Sequence, residues 1–201
     1  MDRVLAYHIV FTCYGFWLPN DPRGSGSTYV GSRALHRVGG DATGLRDRRR
    51  SVAAKEHDPV VCRIAKEELK HAPVLFTTAQ VSAVTEGFRR YQQTTGEVFH
   101  ALAVLPNHVH AVVLARSRPH EDIRQGMKAK ATHALKAAGL HPMPLEDGAR
   151  HTPWGEHGWG RFLHSNRRID ESIDYVRKNL IEARLFPQNH DWIVSFTGTA
   201  K

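Results

Sequence analysis

Residues 97–115, EVFHALAVLPNHVHAVVLA, hold two apolar runs, 97–105 and 108–115, with Pro106-Asn107 between them. Two β-prone runs joined by a short turn read as an antiparallel hairpin. The second run opens on His108 and His110. Alternate strand residues share a face, so both imidazoles project to one side of a sheet.

The flanking segments extend the hairpin into a fold. Residues 4–13 (VLAYHIVFTC) are rich in β-branched and aromatic residues and predict a strand. Residues 60–70 predict a short helix. Thr77 and Gln80 have capping-box spacing ahead of Val81, Val84, Phe88 and Tyr91, and Gly96 stops that helix. A second long helix starts at Pro119, with Ile123, Met127, Ala131, Ala134, Leu135 and Ala138 on one side, and ends at Gly139. Residues 140–158 read as loop, 159–164 as a short strand, and about 170–185 as a final helix with Pro187 beyond it. The order β-α-β-β-α-β is the split βαβ, ferredoxin-like pattern. The expected fold is α+β: an antiparallel sheet with helices on one face, followed by an extra C-terminal helix.

The chain has 201 residues, 41% hydrophobic and 24% charged, enough for a buried core and one domain over 1–201. It has no apolar stretch near the ~20 residues that a membrane span needs. The opening MDRVLAYHIVF lacks signal-peptide organisation. Cys13 and Cys62 are the only cysteines, which excludes a disulfide framework and favours a cytoplasmic setting. The net charge of +8 points to a polyanionic partner. Six of those charges lie between Arg23 and Lys55, a segment that also carries six glycines. It reads as a basic, Gly-rich loop insertion at about 20–58, serving either as a solvated loop or as a nucleic-acid clamp. No P-loop, G-x-S-x-G elbow or H-E-x-x-H motif is present.

With 14 histidines in the chain, the His-x-His spacing alone is weak evidence, and two histidines in ordinary hydrogen bonds would explain it. The surrounding string is more specific. LPNHVHAVV resembles the His-hydrophobic-His motif of the single-tyrosine HUH transposases, and within them the REP-associated tyrosine transposase branch. FTCYGFWLPNDPRGS resembles that branch's opening strand and loop, and the resemblance runs from about Val4 to Leu185. It implies a nucleophilic tyrosine on a later helix. Tyr7, Tyr14 and Tyr29 precede the hairpin, and Tyr91 completes an apolar stripe. Tyr175 lies off the centre of the stripe formed by Ile173, Val176, Leu180 and Ala183, with Asn179 one turn on. DYVRKNLIEARL resembles the family's active-tyrosine helix. Tyr175 matches the nucleophile, and Asn179 matches the polar residue that completes a metal site with His108 and His110. The family often has Pro after that Asn and Gly near the helix end. Leu180 and Arg184 stand there instead, and favour a longer regular helix.

The resemblance implies a metal-dependent single-stranded DNA endonuclease and strand transferase that acts on hairpin-associated DNA. Its intermediate would be a covalent 5′-phosphotyrosine. Two imidazoles and an amide oxygen suit zinc, manganese or iron by ligand preference, whereas the family implies Mg²⁺ or Mn²⁺. Arg46, Arg48, Arg49, Arg50, Lys128 and Lys130 are candidate phosphate contacts, and Trp154 and Trp159 candidate stacking platforms. A monomer is preferred over a swapped dimer. Two rivals remain: a domesticated, non-catalytic binder of hairpin DNA or RNA, and a phosphodiesterase that uses water.

Overall fold

The computed structural model describes residues 3–21, 29–42, 58–143, 152–185, 188 and 190–198. The elements run β1 (Ala6–Cys13), α1 (Arg33–Gly39), α2 (Pro59–Glu67), α3 (Thr78–Thr95), β2 (Phe99–Val104), β3 (His108–Leu114), α4 (His120–Ala137), β4 (Trp154–Leu163) and α5 (Asn166–Glu182). The strands form one antiparallel sheet in the order β2-β3-β1-β4. This is the sheet order of the ferredoxin-like fold that the element sequence predicts.

Strand alternation divides the sheet into two faces. Tyr7, Ile9, Phe11 and Cys13 of β1 join Val109, Ala111 and Val113 of β3 in a core beneath α3 and α4. Ala6, Ala101, Ala103 and Val112 face the other way and pack under Ile169, Ile173, Val176 and Leu180 of α5. The extra helix therefore covers the face opposite α3 and α4. A register shift between Phe99 and Ala101 lets Phe99 and Ala101 serve opposite cores, although they stand two residues apart.

Local chemistry explains the helix ends. Thr77 N–H donates to Gln80 Oε1 at 2.8 Å and Gln80 N–H donates to Thr77 Oγ1 at 3.3 Å, so the capping box forms as its spacing predicts. The α3–α4 contact needs Gly87: a Cβ there would sit 2.5 Å from the Ala131 Cα. The helix ending α5 departs from expectation. Arg184 adopts φ +54°, while Leu185 N–H donates to the Leu180 carbonyl and Arg184 N–H to the Ile181 carbonyl, both at 2.9 Å. This is a Schellman termination with arginine where glycine is usual. Arg184 thus does not prolong the helix, whereas Leu180 lies within it as α5 continues to Glu182. Leu185 folds back onto the core that contains Leu180 instead.

Two further expectations change. The segment read as loop at 20–58 includes α1, whose Leu35 packs with Val30 and with Ala65 of α2. The loop expected through residue 158 ends sooner, because β4 begins at Trp154. Its first residues are obscured by two glycines and by an irregularity: Phe11 pairs with Gly158 but Cys13 pairs with Trp154. Lys128 of α4 stabilises that bulge, its Nζ donating to the carbonyls of Gly155, Glu156 and His157 at 2.7, 3.2 and 3.3 Å.

Beyond α5 the chain returns to the free edge of β2. Gln188 accepts from Val104 N–H and donates to the Val104 carbonyl, both at 2.9 Å, so its amide acts as a one-residue strand. Val194 N–H donates to the Phe99 carbonyl at 2.9 Å. The edge's backbone groups are thereby partly covered, as exposed edges require. Among the described residues no helix is long and apolar enough to cross a membrane.

Candidate active site

The turn that carries the His-x-His pair is held from three sides. Leu105 N–H donates to the His108 carbonyl at 2.9 Å and closes the hairpin. Phe76 N–H donates to the Pro106 carbonyl, and Cys13 N–H donates to the Asn107 carbonyl, each at 2.8 Å. His108 and His110 leave this turn on the α5 face of β3, their ring centroids 4.8 Å apart. Residues 175 and 179 lie one helical turn apart on α5, above that face.

The Tyr175 ring stands edge-on to two imidazoles, with centroids 5.6 Å from His110 and 5.7 Å from His8. Tyr175 itself is 47% exposed, so the phenol borders solvent while its ring packs on the histidines. Asn179 Nδ2 donates to the Tyr175 carbonyl at 2.7 Å, which leaves its carboxamide oxygen as an acceptor. Thus the structure groups His108, His110 and Tyr175, with Asn179 on the next turn.

His8 is a site residue that the sequence reading passed over. It stands on β1 opposite Val112, diagonally across from His110, which pairs with Val10. Its Nε2 lies 3.1 Å from His110 Nδ1 in a buried hydrogen bond. One signal for it exists in the sequence: His8 is an imidazole in an otherwise apolar part of the first strand, and a polar group in a central strand needs a partner.

Burial holds all three imidazoles neutral. Desolvation, with a smaller repulsion from Arg161, pushes His8 down to about 4. Desolvation pushes His108 to about 4 as well. His110 is lowered well below the usual histidine value by desolvation and by its two histidine neighbours. A neutral imidazole keeps one bare ring nitrogen, the form a metal requires. Neutral imidazoles and a carboxamide oxygen are donor types that a divalent cation accepts. Among the described residues, no three His, Cys, Asp or Glu side chains converge as a metal-ligand group.

Two tryptophans border the histidines. Trp159 packs edge-on to His8 with centroids 5.6 Å apart, and Trp17 lies tilted on His108 at 5.9 Å. Trp17 has φ +46°, an uncommon backbone state for a bulky residue. It also lines a cavity of about 450 Å³, together with Tyr14, Phe16, Leu35 and Glu156. Trp154, by contrast, is buried in the opposite core, its Nε1 donating to Thr132 Oγ1 at 3.0 Å and the Lys128 carbonyl at 3.2 Å.

Of the candidate phosphate contacts, the two that are described, Lys128 and Lys130, stand away from this site. Lys128 and Lys130 are on α4, across the sheet from the histidines. Lys128 is 6% exposed and its ammonium is engaged by the β4 bulge, so it has no reach to a ligand in this conformation. Lys130 is half-buried. Arg46, Arg48, Arg49 and Arg50 lie outside the described residues.

No family model and no curated protein matches the chain. Among solved structures it is similar to a REP-associated tyrosine transposase bound to a REP hairpin, at 11% identity and a TM-score of 0.45, over 100% of this chain and 94% of that one. It is also similar to a candidate transposase from Deinococcus radiodurans R1, at 14% identity and a TM-score of 0.40, over 93% of this chain and 95% of that one.

Proposed function

We propose that this protein is a metal-dependent DNA-nicking and strand-joining enzyme of the transposase type, with Tyr175 as its nucleophile. The observation that carries the reading is the packing of the Tyr175 ring of α5 on His110, at the His-x-His face. His108, His110 and Asn179 would hold Mg²⁺ or Mn²⁺, which neutralises phosphate charge and polarises phosphorus.

The chain's own groups do the rest. Tyr175 Oη bonds to phosphorus as the P–O3′ bond breaks, giving a 5′-phosphotyrosine and a free 3′-hydroxyl. The phenol proton is lost to solvent and the departing 3′ oxygen takes one up, so charge balances. A phenolate is a fair leaving group, so a 3′-hydroxyl can reverse the step and join strands without ATP. Trp17 and Trp159 beside the histidines suit unpaired bases, since an indole stacks on any base. The family that the sequence resembles works on single-stranded DNA folded as hairpins, and that substrate is proposed here.

The test mixes the protein with single-stranded hairpin oligonucleotides from DNA flanking its own gene, plus Mn²⁺ or Mg²⁺. Denaturing gels and intact mass should reveal a protein–DNA adduct that Tyr175→Phe and His108→Ala both abolish. Cleavage without an adduct that persists in Tyr175→Phe would replace this reading with a water-using nuclease. Hairpin binding with no cleavage under either metal would replace it with a non-catalytic binder.

A further inference from the structure

We infer that Asn107 and His8 are positioning residues that set the tautomers of the histidine pair. Each takes up the Nδ1 hydrogen of one ring, so that His108 and His110 present bare Nε2 atoms together. The inference rests on the metal reading above and names the groups that make the pair competent for it.

Asn107 Oδ1 lies 2.7 Å from His108 Nδ1. A carboxamide oxygen only accepts, so the hydrogen belongs to the ring nitrogen. In a neutral imidazole, a hydrogen on Nδ1 leaves Nε2 bare. The Asn107 backbone is held in place, since its main-chain carbonyl accepts from Cys13 N–H at 2.8 Å. The tautomer of His108 is therefore set by the turn residue next to it.

His110 needs an equivalent partner, and β1 provides His8. The line between His8 Nε2 and His110 Nδ1, 3.1 Å long, carries one hydrogen when both rings are neutral. If His8 donates it, His110 carries its hydrogen on Nε2 and cannot ligate. If His110 donates it, His110 Nε2 is bare and His8 carries its own hydrogen on Nδ1. The second arrangement matches the His108–Asn107 pair and the general rule that a ligating histidine donates its other N–H to a fixed acceptor. It also separates the roles of the three histidines. With its Nε2 directed to His110, His8 orients a ligand and is not one.

The experiment reads the tautomers without metal. Histidine-labelled ¹⁵N protein in EDTA at pH 7.5 is examined by long-range ¹H–¹⁵N correlation, which distinguishes Nδ1–H from Nε2–H rings. His108 and His110 should both be Nδ1–H tautomers. In parallel, Mn²⁺ affinity is titrated by electron paramagnetic resonance in wild type, His8→Phe and His8→Gln, with circular dichroism to confirm folding. Loss of the acceptor in His8→Phe should weaken Mn²⁺ binding about 10- to 100-fold, whereas His8→Gln, whose amide oxygen accepts, should retain most of it. An Nε2–H signal for His110 in the wild type, or unchanged Mn²⁺ binding in a folded His8→Phe, overturns the inference. Absence of Mn²⁺ binding in the wild type overturns the metal reading instead, and the metal-free spectrum still decides the tautomers.

Discussion

The rings of Tyr175 and His110 meet edge to face, centroids 5.6 Å apart and planes at 75°, although the two residues belong to α5 and to β3. An edge-to-face contact holds the tyrosine ring through its carbon frame, not its hydroxyl. Tyr175→Phe should therefore keep the fold, within about 0.5 kcal/mol in chemical denaturation. The same substitution should remove all covalent adduct with hairpin DNA. An adduct that survives in Tyr175→Phe would move the nucleophile elsewhere.

Acid stability follows from the buried imidazoles. His8 and His108 titrate near 4 in the folded protein and at the ordinary 6.5 when unfolded. Their folded values are depressed, so the unfolded chain binds more protons between those limits. Stability is full above pH 6.5 and falls as pH drops towards 4. Each histidine adds a slope of about 1.4 kcal/mol per pH unit in that window. In EDTA, His8→Phe should flatten the acid limb of the stability curve by one such slope. An unchanged acid limb would show that His8 is not held neutral.

Lys128 serves the fold. Lys128→Met leaves the carbonyls of Gly155, Glu156 and His157 without their shared donor. The expected loss is about 2–3 kcal/mol, because hydrogen bonds to a charged group exceed neutral ones. The slope of log affinity for DNA against log salt should stay the same. A slope lower by about 1 would instead place this ammonium on a phosphate.

Arg184 occupies a glycine position. Its φ of +54° is a left-handed state that a Cβ disfavours. Arg184→Gly should raise stability by about 0.5–1 kcal/mol, relief of that strain outweighing the added freedom of the unfolded chain. A thermal melt reads the change, and a lower melting temperature would mean that the arginine side chain contributes more than its backbone costs.

Much of this architecture was legible in the sequence because its signals are local. The Thr77–Gln80 box and Gly96 bounded α3, Pro106-Asn107 joined two apolar runs, and strand alternation put His108 and His110 on one face. The element order then constrained the sheet to β2-β3-β1-β4, since a βαββαβ chain with right-handed crossovers closes most readily that way. The start of β4 was hidden by its glycines and bulge, and α1 by the basic, Gly-rich composition around it.

Periodicity shows which side of an element is apolar, and nothing about which distant side chain meets it there. His8 and His110 lie 102 residues apart, and only the β1–β3 register sets their rings 3.1 Å apart at the nearest nitrogens. Lys128 scans as a cation on an amphipathic helix, yet three carbonyls of a bulge in β4 bury it. The sequence by itself determined β1, β2, β3, the boundaries of α3 and α4, and the shared face of His108 and His110, whereas β4 starts at Trp154 and α5 runs from Asn166 to Glu182, each earlier than the sequence implies. Tertiary structure decided the partners that orient the histidines, and it separated the buried lysine from the site. Hydrogen bonding between distant segments is set by strand register and helix packing, which arise only when the whole sheet closes.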